Sequence, residues 1–187
     1  MKKIKIYENF LEEDFILELK KNLYGKVGEE NWFSSLAWHE SIRKSSSLVV
    51  IKVLDKDKYI YNYIKKKYQN IFPEFKDKKL KLKINYYVWP KLSYIPFHKD
   101  AGHLIASTIY LNENWNEDHG GLFLYKENNE IKAVAPKYNL AVVNFANISH
   151  GTSLTTMDAP YRETIQIFFD EIQEISATKI RQSLKTV

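Results

Sequence analysis

Apolar side chains recur at two different periods along this chain, and the change falls near residue 80. Before it, Ile4 to Tyr7 reads as a short strand, and Leu11, Phe15, Leu19 and Leu23 predict a helix from Leu11 to Tyr24 with those residues on one face. Asn9-Phe10-Leu11-Glu12 offers a capping-box-like start and Gly25 a stop. The run Leu48 to Leu54 predicts a second strand. After it, Asp55 is the expected N-cap of a helix carrying Tyr59, Ile60, Tyr63, Ile64 and Ile71, which Pro73 ends.

Beyond residue 80 the pattern becomes short strands separated by turn signals, at the spacing of a β-barrel or sandwich. Strands are expected near 80–89, 97–99, 104–111, 121–125, 131–134, 140–146, 149–152 and 162–169. The last is the informative one, because alternation puts Arg162, Thr164, Gln166 and Phe168 on one face and Ile165, Ile167 and Phe169 on the other. In a closed double sheet the apolar face packs against helices, while the polar face looks into a cavity with something polar to bind. The fold class expected is mainly β with flanking helices.

Composition narrows the chemistry. The chain has 187 residues, 44% of them hydrophobic, which suits one compact domain: a mixed α/β support over 1–79, a β core over 80–170 and a polar tail, read as one helix, over 171–187. There is no Cys, so a metal would be held by His and carboxylate. Lys5, Tyr7, Glu8 and Asn9 break any apolar run after Met1-Lys2-Lys3, and no segment reaches membrane-spanning length; a soluble cytoplasmic protein with no membrane partner is expected. The net charge of +5 is carried by Lys, with arginine only at positions 43, 162 and 181. A lysine surplus spread along the chain reads as solvated surface rather than a nucleic-acid reader, although Lys76, Lys78, Lys79, Lys81 and Lys83 form one patch.

Of the five histidines, at positions 39, 98, 103, 119 and 150, only His98 has an acid two positions on, in His98-Lys99-Asp100. Such a pair arises readily by chance and needs companions. On an extended segment His98 and Asp100 share a face and can offer one imidazole and one carboxylate to a cation. The third candidate ligand is His150, after the apolar run Leu140 to Phe145, with His103 as its competitor; His39, His103 and His119 read otherwise as structural or surface residues. Two imidazoles and one carboxylate on one side of a metal make the facial triad associated with non-haem ferrous oxygenases. Arg162, with Thr164 on the same face, could grip a small diacid, since a guanidinium pairs bidentately with a carboxylate.

The ordered set His98-x-Asp100, His150 and Arg162-x-Thr164 resembles the signature of the iron(II)- and 2-oxoglutarate-dependent dioxygenases, in their prolyl-4-hydroxylase-like branch, over about residues 80–170. Ser107 to Asn112 is similar to the family's strand after the His-x-Asp turn. Trp115 through Gly120-Gly121-Leu122-Phe123-Leu124-Tyr125 is similar to its glycine-pair step, and Tyr87-Val88-Trp89-Pro90 to its Tyr-led strand. Lys91, Leu92 and Ser93 stand where the family often has Gly, and Ile109 stands at the position that in some relatives carries a Tyr for the cosubstrate.

The resemblance implies a double-stranded β-helix (jelly-roll) core, with Fe(II) held by His98, Asp100 and His150. It implies 2-oxoglutarate gripped by Arg162, Thr164 and Tyr87, O2 as second cosubstrate and ascorbate as a reductant. The implied reaction hydroxylates an unactivated carbon of an amino acid, a peptidyl residue or a small natural product, releasing succinate and CO2. Asp100 fills the coordination position a halide would need, which favours hydroxylation over halogenation. Trp32, Phe33 and Trp38 are candidates for a substrate lip or for core packing, and selectivity is expected from residues around 30–45 and 88–97.

Two alternatives have their own sequence signals. A nucleic-acid demethylating dioxygenase would carry a second arginine between the distal His and the end of the barrel, and none lies between His150 and Arg162. A non-catalytic metal- or ligand-binding barrel would bind iron without releasing succinate. A cupin would want a His-x-His pair, which the sequence lacks.

Overall fold

A computed structural model describes residues 3–23, 32–34, 40–43, 48–100, 102–145 and 148–172. In chain order its elements are β1 (Ile4–Tyr7), α1 (Glu13–Leu23), β2 (Trp32–Ser34), α2 (Glu40–Arg43), β3 (Val50–Val53), α3 (Lys58–Ile71), β4 (Leu80–Trp89) and β5 (Ile95–His98). There follow β6 (Ile105–Tyr110), β7 (Phe123–Glu127), β8 (Glu130–Val134), β9 (Ala141–Phe145), β10 (His150–Thr152) and β11 (Arg162–Glu171). The strands form a seven-stranded sheet in the order β1-β9-β6-β11-β4-β3-β2 and a four-stranded sheet in the order β5-β10-β7-β8. Every pairing is antiparallel. The mainly β architecture with flanking helices is the one the sequence predicts. Among the described residues no helix is long and apolar enough to cross a membrane.

Alternation along the central strands sorts the side chains as expected. Ile165, Ile167 and Phe169 of β11 join Leu82, Ile84 and Tyr86 of β4 and the buried faces of the helices in one cluster. α1 contributes Phe15, Ile16, Leu19 and Leu23, and α3 contributes Ile60, Ile64 and Tyr68. Phe15 and Tyr63 stack at 3.6 Å across the two helices. Each fully buried Leu, Ile or Phe stabilises by roughly 1.5–3 kcal/mol, so these faces fix both helices on the sheet. The opposite face of the large sheet looks toward the small sheet. Apolar clusters around Phe123 and Val142 on one side and around Ile51 and Trp89 on the other flank the polar space left between them.

Local departures from the sequence reading have identifiable causes. α1 starts at Glu13 rather than Leu11, because the backbone N–H and C=O of Leu11 are both taken by the Asn139 side-chain amide, at 2.8 Å each. The cap of α3 is Asp57 rather than Asp55, with its carboxylate accepting from the N–H groups of Tyr59 and Ile60. The helix stops at Ile71, ahead of Pro73, as predicted. Gly25, the predicted stop of α1, lies outside the described residues, as do 173–187 of the predicted tail. β2 and α2 are too short to leave a periodic signal. Asn128 and Asn129 both take positive φ, which joins β7 to β8 through a two-residue turn.

Asn139 is buried with φ 55° and ties the start of α1 to β9. Asn139→Ala should destabilise the protein by about 2–4 kcal/mol in urea unfolding, from two lost buried hydrogen bonds and a strained backbone. Asn139→Gly should recover about 1 kcal/mol of that, and equal losses for the two variants would refute the backbone share.

Candidate functional site

β5 and β10 lie side by side in the small sheet, with His98 directly opposite His150. That register brings the two imidazoles together, their ring centroids 4.5 Å apart. Asp100, just past the end of β5, turns back between them: its Oδ1 is 3.5 Å from His98 Nε2 and its Oδ2 3.2 Å from His150 Nε2. One ligand atom from each of the three residues lies within 4.8 Å of the others, the one such group among the described residues. Donors about 2.1 Å from a metal and at right angles to one another stand roughly 3 Å apart, so the three atoms need only small shifts to hold one ion.

The other nitrogen of each ring decides which one can coordinate. His98 Nδ1 lies 2.9 Å from the Pro96 carbonyl and His150 Nδ1 lies 2.8 Å from the Ile148 carbonyl. A carbonyl only accepts, so Nδ1 carries a proton in both rings; Nε2 is the nitrogen that faces Asp100, donating to it when protonated and able to coordinate a metal once that proton leaves. Phe123 stacks on His150, fixing the ring.

The protonation balance follows from this geometry. Burial opposes a charged His98, but hydrogen bonds to Asp100 and to the Pro96 carbonyl outweigh it and raise its pKa above the ordinary value. Burial likewise opposes the Asp100 carboxylate, but its bonds to His150 and His98 hold it well below the usual carboxylate range. A donor set of two neutral imidazoles and one carboxylate fits a borderline divalent ion such as Fe(II).

β11 crosses the opposite wall. Arg162, Thr164, Gln166 and Phe168 face the space between the sheets; Gln166 and Phe168 line a cavity of about 200 Å³ with His98, Asp100 and His150. Tyr87 is on the cavity wall, whereas its neighbour Tyr86, on the same face of β4 as Leu82 and Ile84, is in the helix-facing core. Arg162 and Thr164 are not part of that wall. They lie behind Trp89, whose Nε1 donates to Thr164 Oγ1 at 3.1 Å and whose ring is 4.9 Å from the Arg162 guanidinium carbon.

Arg162 is 1% exposed, yet its Nε and Nη1 have no hydrogen-bond partner, and neither has the hydroxyl of Tyr110, whose ring is 5.1 Å away. Burial draws the pKa of the guanidinium down. A buried cation without a counter-charge is expensive, and the chemistry that would satisfy it is an anion with several acceptor oxygens. Gly121 makes room for it. This residue has φ 65°, and a Cβ there would meet Arg162 Cδ, Thr155 Cγ2 and Trp115 Cζ2, each at 3.1 Å.

Tyr110 was missed by sequence reading, which took Ile109 as the strand position to examine. Ile109 faces the helices, and strict alternation along β6 already places Thr108 and Tyr110 on the inner face. Ile42 of α2 was also missed and lines the cavity. His103 is paired with Asp170 and is not among the three converging ligands. His119 caps a short 3-10 turn, its Nδ1 accepting from Asn116 N–H at 3.1 Å. His39 and Trp38 lie outside the described residues, as does the side chain of Trp32; Phe33, on β2, is partly exposed. Lys76, Lys78 and Lys79 border a separate cleft beside Phe75, while Lys83 pairs with Asp170. Leu92, where the family often has Gly, takes φ 58° and so makes the turn before β5 in a conformation that Gly would adopt without strain.

Because the raised pKa of His98 means a proton is retained above about pH 6.5, a metal must displace it over the neutral range. Affinity for Fe(II) or Co(II), measured by anaerobic titration, should therefore decline steadily as pH falls from about 8 to 5. A flat profile across that interval would contradict coordination by His98.

No family model matches the sequence, and neither does any curated protein. Solved structures do. A prolyl-4-hydroxylase from Pseudomonas putida superposes with a TM-score of 0.71 at 17% identity, over 91% of this chain and 94% of that one. An oxidoreductase of the 2OG-Fe(II) oxygenase family from Burkholderia pseudomallei gives 0.70 at 12% identity, over 90% and 85%. HygX from Streptomyces hygroscopicus, with nickel and 2-oxoglutarate bound, gives 0.65 at 8% identity, over 90% and 83%. With two antiparallel sheets enclosing a His-Asp-His group, the chain has the jelly-roll fold of the 2OG-Fe(II) oxygenases, prolyl-4-hydroxylase among them.

Proposed function

We propose that this protein is an iron(II)- and 2-oxoglutarate-dependent dioxygenase that hydroxylates an unactivated carbon of an amino acid, a peptidyl residue or a small natural product, with release of succinate and CO2. The observation that carries the reading is the convergence of His98, Asp100 and His150 on one point, in a cavity backed by a buried guanidinium with two unpartnered nitrogens. The likeness to HygX with 2-oxoglutarate bound supports the same pairing of metal and cosubstrate.

In this reading His98, Asp100 and His150 hold the iron, and the face turned to the cavity is left for the cosubstrates and the substrate. Iron and 2-oxoglutarate together supply the oxidising chemistry that protein side chains lack. The chain supplies positions. The Pro96 and Ile148 carbonyls hold both imidazoles in the coordinating tautomer. Arg162 pairs with the far carboxylate of the cosubstrate, and the Tyr110 hydroxyl, unpartnered beside it, is a second donor; Thr164 has a free proton because its oxygen already accepts from Trp89 and Gln166. Apolar groups at Trp89, Ile95 and Phe123 keep water from the reacting centre.

Anaerobic titration of the iron(II)-loaded protein with 2-oxoglutarate should develop the visible charge-transfer absorption of the chelate. His98→Ala should abolish it, and Arg162→Ala should weaken 2-oxoglutarate binding roughly 10- to 100-fold, the worth of a charge-assisted pair. No absorption in the wild type would leave a ligand-binding barrel without turnover. Gly121→Ala should weaken 2-oxoglutarate about tenfold and leave iron affinity unchanged, because the added methyl presses on Arg162 and not on the metal ligands. Equal loss of both affinities would show that Gly121 acts on the fold rather than on the guanidinium.

A further inference from the structure

His103 stands at the cavity wall and has no part in the metal group. It follows Gly102, which turns the chain at φ 90° after the Asp100 ligand. Its ring lies against Phe168, centroids 4.7 Å apart, and Phe168 lines the same cavity. Its Nδ1 is bound to the Asp170 carboxylate, and Lys83 Nζ holds the other oxygen of that carboxylate at 3.1 Å. Asp170, Phe168 and Gln166 alternate along the inner face of β11, so the His103–Asp170 pair extends the wall that Gln166 and Phe168 begin.

Direction can be read from this pair. An ionised carboxylate only accepts, so the proton of the neutral imidazole sits on Nδ1, and Nε2 carries a lone pair. No other polar contact of the His103 side chain exists among the described residues. The ring is about one-fifth exposed and belongs to the cavity wall, and Nε2 is the nitrogen that Asp170 does not take. Lys83 neutralises Asp170, so the pair offers a directed acceptor rather than a net charge.

Phe168 beside it, with Ile42 and Ile95 across the cavity, offers apolar contact only. At about 200 Å³ the cavity is smaller than the few hundred typical of sites that enclose a drug-sized ligand, so it takes a small molecule or one side chain of a larger one.

We propose that His103, oriented by Asp170, is a specificity-determining residue whose Nε2 accepts a hydrogen bond from an N–H or O–H group of the substrate. The substrate class is an aliphatic group bearing a hydrogen-bond donor, with its hydrocarbon portion lying along Phe168. The word substrate rests on the oxygenase reading above; the acceptor itself does not, and its test uses neither iron nor turnover.

The full chain, labelled with 15N-histidine, is examined by long-range 1H–15N correlation at about pH 8, with His103→Gln to assign the resonances. The expected His103 spectrum is that of the Nδ1–H tautomer. Cyclopentanol should shift the His103 Nε2 resonance and bind roughly three- to tenfold more tightly than cyclopentyl methyl ether, which has the same ring and no donor. Asp170→Asn, whose amide can donate to Nδ1, should move the proton to Nε2 and erase or reverse that preference, an outcome that loss of packing alone would not produce. An Nε2–H tautomer in the wild type, equal shifts with both probes, or a shift with neither overturns the proposal. Loss of the charge-transfer absorption with these results intact would count against the oxygenase reading alone.

Discussion

Antiparallel pairing of β11 with β4 on one side and β6 on the other is the constraint from which the rest of the molecule follows. Ten consecutive residues, Arg162 to Glu171, pair with Trp89 to Leu80, and six of them also pair with β6. A slip by one position would turn every side chain to the wrong face: Arg162 and Gln166 toward the helices, Ile165 and Ile167 into the cavity. The apolar cluster under α1 and α3 therefore holds the register, and the register places the polar wall of the site. Stability and chemistry are two sides of one strand.

The site in turn concentrates groups that a fold alone would avoid burying. A guanidinium with two unpartnered nitrogens, a phenol with an unpartnered hydroxyl, and a carboxylate wedged between two imidazoles all occupy one inter-sheet space. The guanidinium and the phenol oppose folding, and the packed aromatic surfaces of Trp89, Tyr110 and Phe123 limit how far the three groups can relax. The glycine pair is part of the same arrangement. A Cβ at Gly120 would sit 2.2 Å from the Leu154 carbonyl oxygen, and one at Gly121 would crowd the arginine, so the sequence keeps both positions bare.

Much of this was legible in the sequence because period and parity are short-range properties. The strands β4, β6, β9 and β11 follow from short runs between turn signals, and the two faces of β11 follow from alternation. The His-x-Asp pair and His150 were readable as candidates, yet their convergence depends on His98 facing His150 across β5 and β10, a long-range register that no local pattern encodes. The same parity puts Tyr110 on the inner face of β6, because its neighbour Ile109 faces the helices. The start of α1 could not be read locally, since it is set by Asn139 from the far side of the sequence. The same holds for His103, whose partner Asp170 is remote in sequence and adjacent only through β11.

One pairing bears on how the chain reaches this state. Among the described residues β1 is an edge strand of the large sheet, paired with β9, Ile4 lying opposite Asn144. During synthesis the first strand is therefore made long before the strand that receives it, and the helices that follow can pack only against a sheet whose central strand, β11, arrives later still. Contacts this distant in sequence slow folding, because loop closure must precede the reward of pairing. Until then Ile4 and Ile6 lie on an unpaired strand open to neighbouring chains, and Lys3 and Lys5, interleaved with them, place charge along that edge during the wait.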